Sequence, residues 1–521
     1  MKDILKPQAS GYSEAGASRT RRAFRSFTPN SGPPYEDIDK NSATLRERAR
    51  MLYMSTPLAA SAINTNRTHI IGPGLTLQAS IDKELLGLSE ESARAWQHKT
   101  EAEFRLWADT AWNCDALGVS SFDDLQQLAL KAWLMSGDVF ALIRWVDPTP
   151  LNPYGLRIQL IEADRVCTPS DYGIFGVEAI AEVPEGKPGA GHKIYNGVEV
   201  DENGQVIAYH ICSHYPGYAA SHYPGDAITW TRVLARGEKT GLPNILPIME
   251  SERPGQYRGV PYLAPVIETL LQMRRYTESE LMSAVIQSFF TAWITTETEG
   301  NVIPFNEVGD GIDGQQISQD ENEYEMGPGT VFHLKPNEDI KFGAPNIPTA
   351  GFEMFTKTLA KIAGSGIEQP YDVLMKEFDS SYSASRGALM EAWEAYKMRR
   401  HWFVDDFNQP VYEIWLTYAV AIGRIKAPGF FDDPMIRKAW CGANWIGPVQ
   451  IALDPNKEAQ AAVLMTSQGF KSHKQVTREL GGGDWDQNVE QLKLANEKLR
   501  DAGATTPDAS GTGNKDIDEE D

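Results

Sequence analysis

The chain has 521 residues, 41% hydrophobic and 23% charged, with 49 Lys and Arg against 71 Asp and Glu for a formal net charge of −22. At about 100–200 residues per domain it holds several domains, and its ordinary composition excludes a wholly disordered or fibrous chain. The acidity argues against tight, sequence-reading DNA binding, which rests on neutralising phosphates. Four scattered cysteines (Cys114, Cys167, Cys212 and Cys441) without a CxxC pair exclude a disulfide scaffold and a cysteine zinc knuckle. The start MKDILKPQASGYSE lacks the apolar core of a signal peptide. The best apolar stretch, Ala284–Ile294, is broken by Gln287 and Ser288, so no membrane span is expected. Together these predict a soluble protein of a reducing compartment with no membrane contact.

Residues 1–41 are rich in Ser, Gly, Pro and Arg and show no helical or strand period, which predicts a flexible arm. Arg19, Arg21, Arg22 and Arg25 lie there among Phe24 and Phe27, and the sharper reading is a basic-aromatic arm that touches nucleic acid or a partner shell. A helical pattern runs over 42–68, with Pro57 at a helix start or kink. Ile71-Gly-Pro-Gly74 is a turn. Helices follow over 89–107 and 121–135. Ser89 caps the first with an imperfect capping box, and Ser121-Phe-Asp-Asp124 puts a cap and two carboxylates at the positive end of the second.

Over 138–235 the runs DVFALIRWV, LRIQLIEADRV, VEVDENGQVIAYHIC and DAITWTRVLA read as strands, with Asp201-Glu-Asn-Gly204 as a hairpin turn. This predicts a mixed α+β domain. From Pro261 to Thr295 apolar residues recur at three- and four-residue steps, predicting a strut about 52 Å long. Residues 297–325 are acidic and Gly-rich without Lys or Arg, and Thr330–Leu334 reads as a strand. A helix over 351–364 ends at Gly364 and Gly366. Residues 367–383 read as a loop, 384–422 as a long helix kinked at Pro410, and the remainder to about Arg500 as shorter helices. The final 21 residues carry seven acids and one Lys and predict a disordered acidic tail.

Motifs for chemistry are weak. Gly309-Asp-Gly-Ile-Asp-Gly314 matches GxGxxG, but it follows no convincing strand, and Asp310 and Asp313 would repel a pyrophosphate. Gly237-Glu-Lys-Thr240 lacks the spacing of a phosphate loop. His210, Cys212 and His214 would share one side of a strand, with His222 nearby, and these are residue types that zinc takes as ligands. The bland alternative is a pair of Pro-Gly turns, since Ser213-His-Tyr-Pro-Gly217 repeats as Ser221-His-Tyr-Pro-Gly225. No HExxH, GxSxG or kinase signature occurs, and carboxylate pairs carry no weight in so acidic a chain. The expectation is a protein that is not an enzyme and needs no cofactor or metal.

The order of elements says more. Arg253-Pro-Gly-Gln-Tyr-Arg-Gly-Val-Pro261 opens a long helix; an acidic excursion, a return helix and a loop follow; then Ser380-Ser-Tyr-Ser-Ala-Ser-Arg-Gly-Ala-Leu389 opens another long helix. With Ile71–Gly74, Ser136-Gly-Asp-Val-Phe140, Ile161-Glu-Ala-Asp164 and Gly327-Pro-Gly-Thr330 in the same order, the chain resembles the lambda-type family of tailed-phage portal proteins over roughly residues 42–500. One departure is Ile245-Leu-Pro-Ile248, where the family usually carries a histidine.

The resemblance implies an α+β portal fold in a ring, usually of twelve subunits, at one capsid vertex of the virion, assembled in the host cytoplasm. Double-stranded DNA passes through such a ring during packaging and ejection. Its implied parts are a wing over 42–260, a stem helix over 261–296, an acidic clip over 297–345 and a return stem helix over 346–366. A tunnel loop over 367–383, a kinked wing helix over 384–425 and a helical crown over 426–500 complete it. Partners would be the terminase large subunit, the major capsid and scaffold proteins and the head-tail connector. Lys357, Lys361, Gln369, Lys376, Ser380, Ser381 and Arg386 are the candidates for the DNA channel and tunnel loop, and Glu307, Asp310, Asp313, Asp320 and Glu321 for the clip surface. For each cation the bland reading is a solvated helix face or an intersubunit pair. Two other functions compete: an oligomeric scaffold that never touches DNA, and a metal- or nucleotide-using enzyme built on 138–260.

Overall fold

The computed structural model describes residues 16–18, 21–24, 26–29, 31–172, 180–216, 228–288, 292–296, 338–342, 351–378, 381–450, 455–481 and 483–502. The chain divides into two compact units, Met1–Leu270 with Ala360–Asp521, and Leu271–Leu359.

The first unit begins with α1 (Lys40–Ser55) and α2 (Pro57–Ile70). Pro57 stands at the start of α2, where its missing N–H leaves no helix bond unmade. Residues before α1 are more ordered than the expected arm. Tyr35 and Ile38 are buried, and Tyr35 packs edge-on against Tyr195 at 5.6 Å. Strand β1 (Thr76–Ala79), α3 (Glu90–Ala108), α4 (Ala111–Cys114) and α5 (Phe122–Ser136) follow. Ser121 and Asp124 form a complete capping box on α5, whereas Ser89 supplies only its own half of one, accepting from the Ser92 N–H.

Strands β2 (Asp138–Trp145), β3 (Leu156–Glu162), β4 (Ala181–Glu182), β5 (Lys193–Tyr195), β6 (Val198–Val200), β7 (Val206–Cys212), β8 (Trp230–Leu234) and β9 (Ile245–Met249) make two antiparallel sheets. Their orders are β3-β2-β9 and β4-β5-β6-β7-β8. Alternation along β2 sends Val139, Ala141 and Ile143 into the main core and Phe140 and Leu142 into a second core with Ile161, Val198, Tyr209 and Ile245.

Next come α6 (Ile267–Ser288), β10 (Ala292–Thr296), β11 (Glu338–Phe342) and α7 (Phe352–Gly366). The expected 261–295 strut is therefore shorter. Pro261 and Pro265 delay the helix, and the β-branched run Ile294-Thr-Thr296 leaves it for a strand. At 1.5 Å per residue α6 is about 33 Å long. The return helix continues through Gly364 to Gly366. The second unit holds α6 from Leu271 onward, the antiparallel pair β10–β11 and the start of α7. Within it Tyr276 stacks on Phe352 at 5.5 Å and meets Phe355 edge-on at 4.9 Å. The expected strand at Thr330–Leu334 and the GxGxxG match lie outside the described residues.

The segment read as a loop contains α8 (Tyr371–Met375). After it α9 (Tyr382–Phe403) runs into a π-turn, Val404–Asn408, and then α10 (Gln409–Ala421). Pro410 has no N–H to return to an earlier carbonyl, and the widened turn just before it takes up the mismatch. Then come α11 (Pro434–Trp440), β12 (Ala443–Ile446), α12 (Pro455–Ser467), α13 (His473–Leu480) and α14 (Trp485–Asp501). Strand β12 pairs with β1, Thr76 opposite Ile446, and Phe430, Trp440 and Cys441 are buried in the main core. Residues 430–446 thus pack into the body of this unit. The main core is aromatic: Phe104 meets Trp415 at 5.1 Å and Phe122 at 5.7 Å, both edge-on.

One ion pair lies wholly inside this unit. Arg258 and Asp138 are both 0% exposed. Arg258 donates from Nε and Nη2 to the two Asp138 oxygens at 2.7 and 3.0 Å. Its remaining N–H groups go to the carbonyls of Val166 (2.7 Å), Asn196 (2.6 Å) and Ala163 (2.8 Å). The Gly259 N–H completes Asp138 at 2.9 Å. Burial alone would raise the Asp138 pKa, but Arg258 outweighs it and holds the carboxyl below its ordinary value. The backbones touch here: a Cβ on Gly259 would stand 1.9 Å from the Gly137 carbonyl oxygen. Asp138→Asn should leave the guanidinium buried without its counter-charge and cost about 3–5 kcal/mol of stability. The check is the midpoint of urea unfolding, and a shift within error would show that the pair is dispensable.

Candidate nucleic-acid interface

The cations nominated around 351–386 are dispersed. Lys357 lies in the second unit, with Nζ 2.9 Å from the Glu353 carboxylate one turn earlier. Lys361 lies in the first, with Nζ 5.6 Å from the Tyr371 ring centre. It shares a cleft of about 670 Å³ with Glu368, Glu391 and Glu394, so carboxylates outnumber it there. Gln369 is buried, and its Nε2 donates to the Ala62 carbonyl at 3.0 Å. It braces α2. Lys376 is exposed and left-handed, with φ +58°, at the end of α8. It faces a different cleft, with Arg67 and Lys131. Ser381 immediately precedes α9, and its carbonyl accepts the Ser385 N–H at 3.0 Å. Arg386 reaches to 3.9 Å from Glu458. Ser380 and the clip candidates Glu307, Asp310, Asp313, Asp320 and Glu321 lie outside the described residues.

The zinc-like triplet does not converge. His210 and Cys212 are buried on β7, but His210 Nε2 is 3.1 Å from Glu199 Oε2. The same carboxylate takes two bonds of 2.7 Å from Arg232 and lies 2.7 Å from His192 Nδ1. The Cys212 carbonyl accepts from Arg165 Nε at 3.0 Å, and His214 Nδ1 is 2.9 Å from Ser213 Oγ. Among the described residues no three His, Cys, Asp or Glu side chains converge to hold a metal ion. His222 and the second SHYPG copy are outside them. Gly237-Glu-Lys-Thr240 forms a closed turn between β8 and β9, with the Gly237 N–H on the Leu242 carbonyl and the Gly241 N–H on the Gly237 carbonyl, both 2.8 Å. Those amides are spent within the turn and no helix follows, so it is not a phosphate cradle.

Three of the runs that carried the resemblance converge. Arg258 of the Arg253–Pro261 run holds Asp138 of the Ser136–Phe140 run and the Ala163 carbonyl of Ile161–Asp164. Asp164 pairs with Arg46 at 2.9 Å and with Arg50 at 2.5 Å. Gln256 closes the RPGQ turn, accepting the Glu252 and Arg253 N–H groups at 2.9 and 3.1 Å and donating to the Arg258 carbonyl at 2.8 Å. The family described as "Phage portal protein, lambda family" matches residues 20–400. The chain belongs to that family.

This portal protein is 23% identical over 495 residues to the portal protein of Escherichia phage N15 and 22% identical over 495 residues to portal protein B of Escherichia phage lambda. Each comparison covers 91% of this chain and 88% of the relative. The probable portal protein of Halomonas phage phiHAP-1 is 24% identical over 515 residues, covering 97% of this chain and 91% of that one. Among solved structures, a chain of the neck of a native GTA particle, computed with C12 symmetry, matches with a TM-score of 0.42 at 12% identity, covering 85% of this chain and 94% of that chain. The portal chain also carries cations that sequence reasoning missed. Arg67 and Lys131 stand on α2 and α5, 64 positions apart, and no local pattern joins them to Lys376.

Glu199 gives a pH test. Burial would raise its pKa, but hydrogen bonds from Arg232, His210 and His192 outweigh burial and bring it from 4.5 to about 2. A depressed carboxylate stabilises the fold above its unfolded pKa, and that stability is lost as pH falls through the folded value. Between pH 4.5 and 2 the wild type should therefore lose stability more steeply than Glu199→Gln. Thermal melts across that range compare the two, and parallel slopes would remove Glu199 from the account.

Proposed function

We propose that this portal protein assembles into a ring, of about twelve copies in the family's manner, at one vertex of the capsid. Double-stranded DNA enters and leaves through its bore. The reading is supported by family membership over residues 20–400 and by one physical observation that carries it: large apolar side chains stand exposed on the helices assigned to assembly. Leu281 and Met282 on α6 are 67% and 61% exposed, and Met354 on α7 is 73% exposed. A monomer gains nothing from them, whereas neighbours packed side by side would cover them.

In this reading α6 and α7 are the stem, and the segment between them is the outward clip that meets the terminase large subunit and later the head-tail connector. Residues 367–383 are the tunnel loop. The two sheets and α1–α5 form the wing with α9 and α10, and α12–α14 form the crown inside the shell among capsid and scaffold proteins. Val463, Leu464 and Phe470 are exposed on and just after α12 and would be covered there. The mechanism is geometric, with translocation energy from a separate ATPase. An acidic ring repels a duplex that carries a charge every ~1.7 Å, which favours sliding over retention.

Negative-stain microscopy of the purified chain should show rings with a central hole and near-twelvefold symmetry, and a persistent monomer would overturn the reading. Leu281→Asp combined with Met354→Asp should reduce the ring fraction in sedimentation while leaving the chain folded. Replacing Lys357 and Lys361 together with Gln should change DNA retention or packaging more than ring assembly. A loss of assembly alone would remove these lysines from the bore.

A further inference from the structure

A cleft of about 800 Å³ opens in the first unit between α2, α5, the end of α8 and α9. That volume lies within the ~300–1,000 Å³ of small-molecule sites. Arg67, Lys131 and Lys376 converge on it from three separate elements. None of the three makes an ion pair among the described residues, and no Asp or Glu is among the described residues that line the cleft. This is a sharp departure in a chain where acids outnumber Lys and Arg 71 to 49. The cleft beside Lys361 shows the usual local balance, one lysine among three glutamates.

The walls are aromatic. The Lys131 ammonium lies 5.2 Å from the Tyr53 ring centre. Trp393 meets His69 edge-on at 5.6 Å, and His69 stacks on Tyr396 at 5.0 Å with 17° between the planes. Phe378 is 52% exposed at the rim. The cationic side is held in place. Ser61 Oγ donates to the Leu374 carbonyl at 2.9 Å, tying α8 to α2 just before Lys376. The His69 pKa is lowered first by burial and then by Arg400 and Lys376.

We propose that this cleft binds a nucleotide, its phosphate on Arg67, Lys131 and Lys376 and its base against Trp393, Tyr53 and Phe378. Cations without ion pairs among the described residues select an anion, and the half-buried rings of Tyr53 and Trp393 with the exposed Phe378 select a planar group attached to it. A bare phosphate uses only the first feature, and so does an acidic peptide without aromatic side chains. An intact duplex keeps its bases stacked and cannot offer one to the wall. The source is either a free nucleotide or a single strand. The site is independent of whether the ring is a DNA channel.

The test is calorimetric titration of the assembled full-length protein with ATP, with a short oligothymidylate, and with inorganic phosphate, a short duplex and poly-glutamate as competitors. ATP or oligothymidylate should bind saturably at about one site per chain. Lys131→Gln combined with Lys376→Gln should weaken binding roughly tenfold or more, and so should Trp393→Leu, in the range of one lost base–aromatic stack. Lys493→Gln on α14 is the control and should change nothing. Melting temperature and ring fraction report folding, and the surface lysine pair keeps the test open should Trp393→Leu not fold. Tighter binding of ATP assigns a free nucleotide, and tighter binding of oligothymidylate assigns a strand; both support the site. Absence of saturable binding, binding unmoved by the lysine pair, or competition by phosphate, duplex or poly-glutamate at the nucleotide's own strength overturns it.

Discussion

A guanidinium with no water around it must find every hydrogen bond within the protein. Arg258 does so: its five N–H groups reach both oxygens of Asp138 and three backbone carbonyls. Desolvating each ion costs several kcal/mol, so the pair is weak as a net source of stability. Its value lies in what it forbids. Any displacement of β2, of the turn after β3, of the Asn196 turn or of the run leading to α6 strands a buried charge. The arrangement also requires Gly137 and Gly259, whose backbones approach too closely for a side chain. Four separate stretches of chain are thereby fixed to one point just before the helix that leads out of the first unit.

A second clamp in this unit works by the same logic. Arg400 on α9 donates to the carbonyls of Ile70 and His69 at the end of α2 and to that of Pro448 beyond β12, at 2.8, 2.6 and 2.8 Å. It satisfies helix-terminal carbonyls that would otherwise lack partners. With the β1–β12 pairing it joins the N-terminal helices to residues almost four hundred positions later. That is why residues 430–446 are part of the body, although their sequence gives no sign of it.

Local features were legible and distant ones were not. The caps at Ser89 and Ser121, Pro57 at a helix start, the hairpin at Asp201–Gly204 and the apolar strand β2 all follow from residues within a short stretch. Arg258 and Asp138 are 120 positions apart, and nothing in either run shows that they are partners. Gln369 looked like a polar loop residue, and only the tertiary fold shows that its amide serves the Ala62 carbonyl. The end of α6 was misjudged because apolar residues at helical steps continue into Trp293 and Ile294, where β-branched neighbours and pairing with β11 decide for a strand. Three of the motif runs, Ser136–Phe140, Ile161–Asp164 and Arg253–Pro261, meet at Arg258, but the sequence showed only their order.

The contrast between the buried and the exposed parts then bears on how the protein works. Inside the first unit, charged groups such as Arg258, Asp138 and Glu199 are surrounded by partners, which specifies one arrangement at little net gain. On α6, α7 and α12, by contrast, large apolar side chains are left in water, where each one covered returns about 25 cal/mol per Å². Hydrophobic contact is non-directional and tolerates small slips between neighbours, whereas a buried ion pair does not. A body held by paired charges and helices left to pack by apolar contact is a division suited to an assembly whose subunits keep their own shape when they pack together.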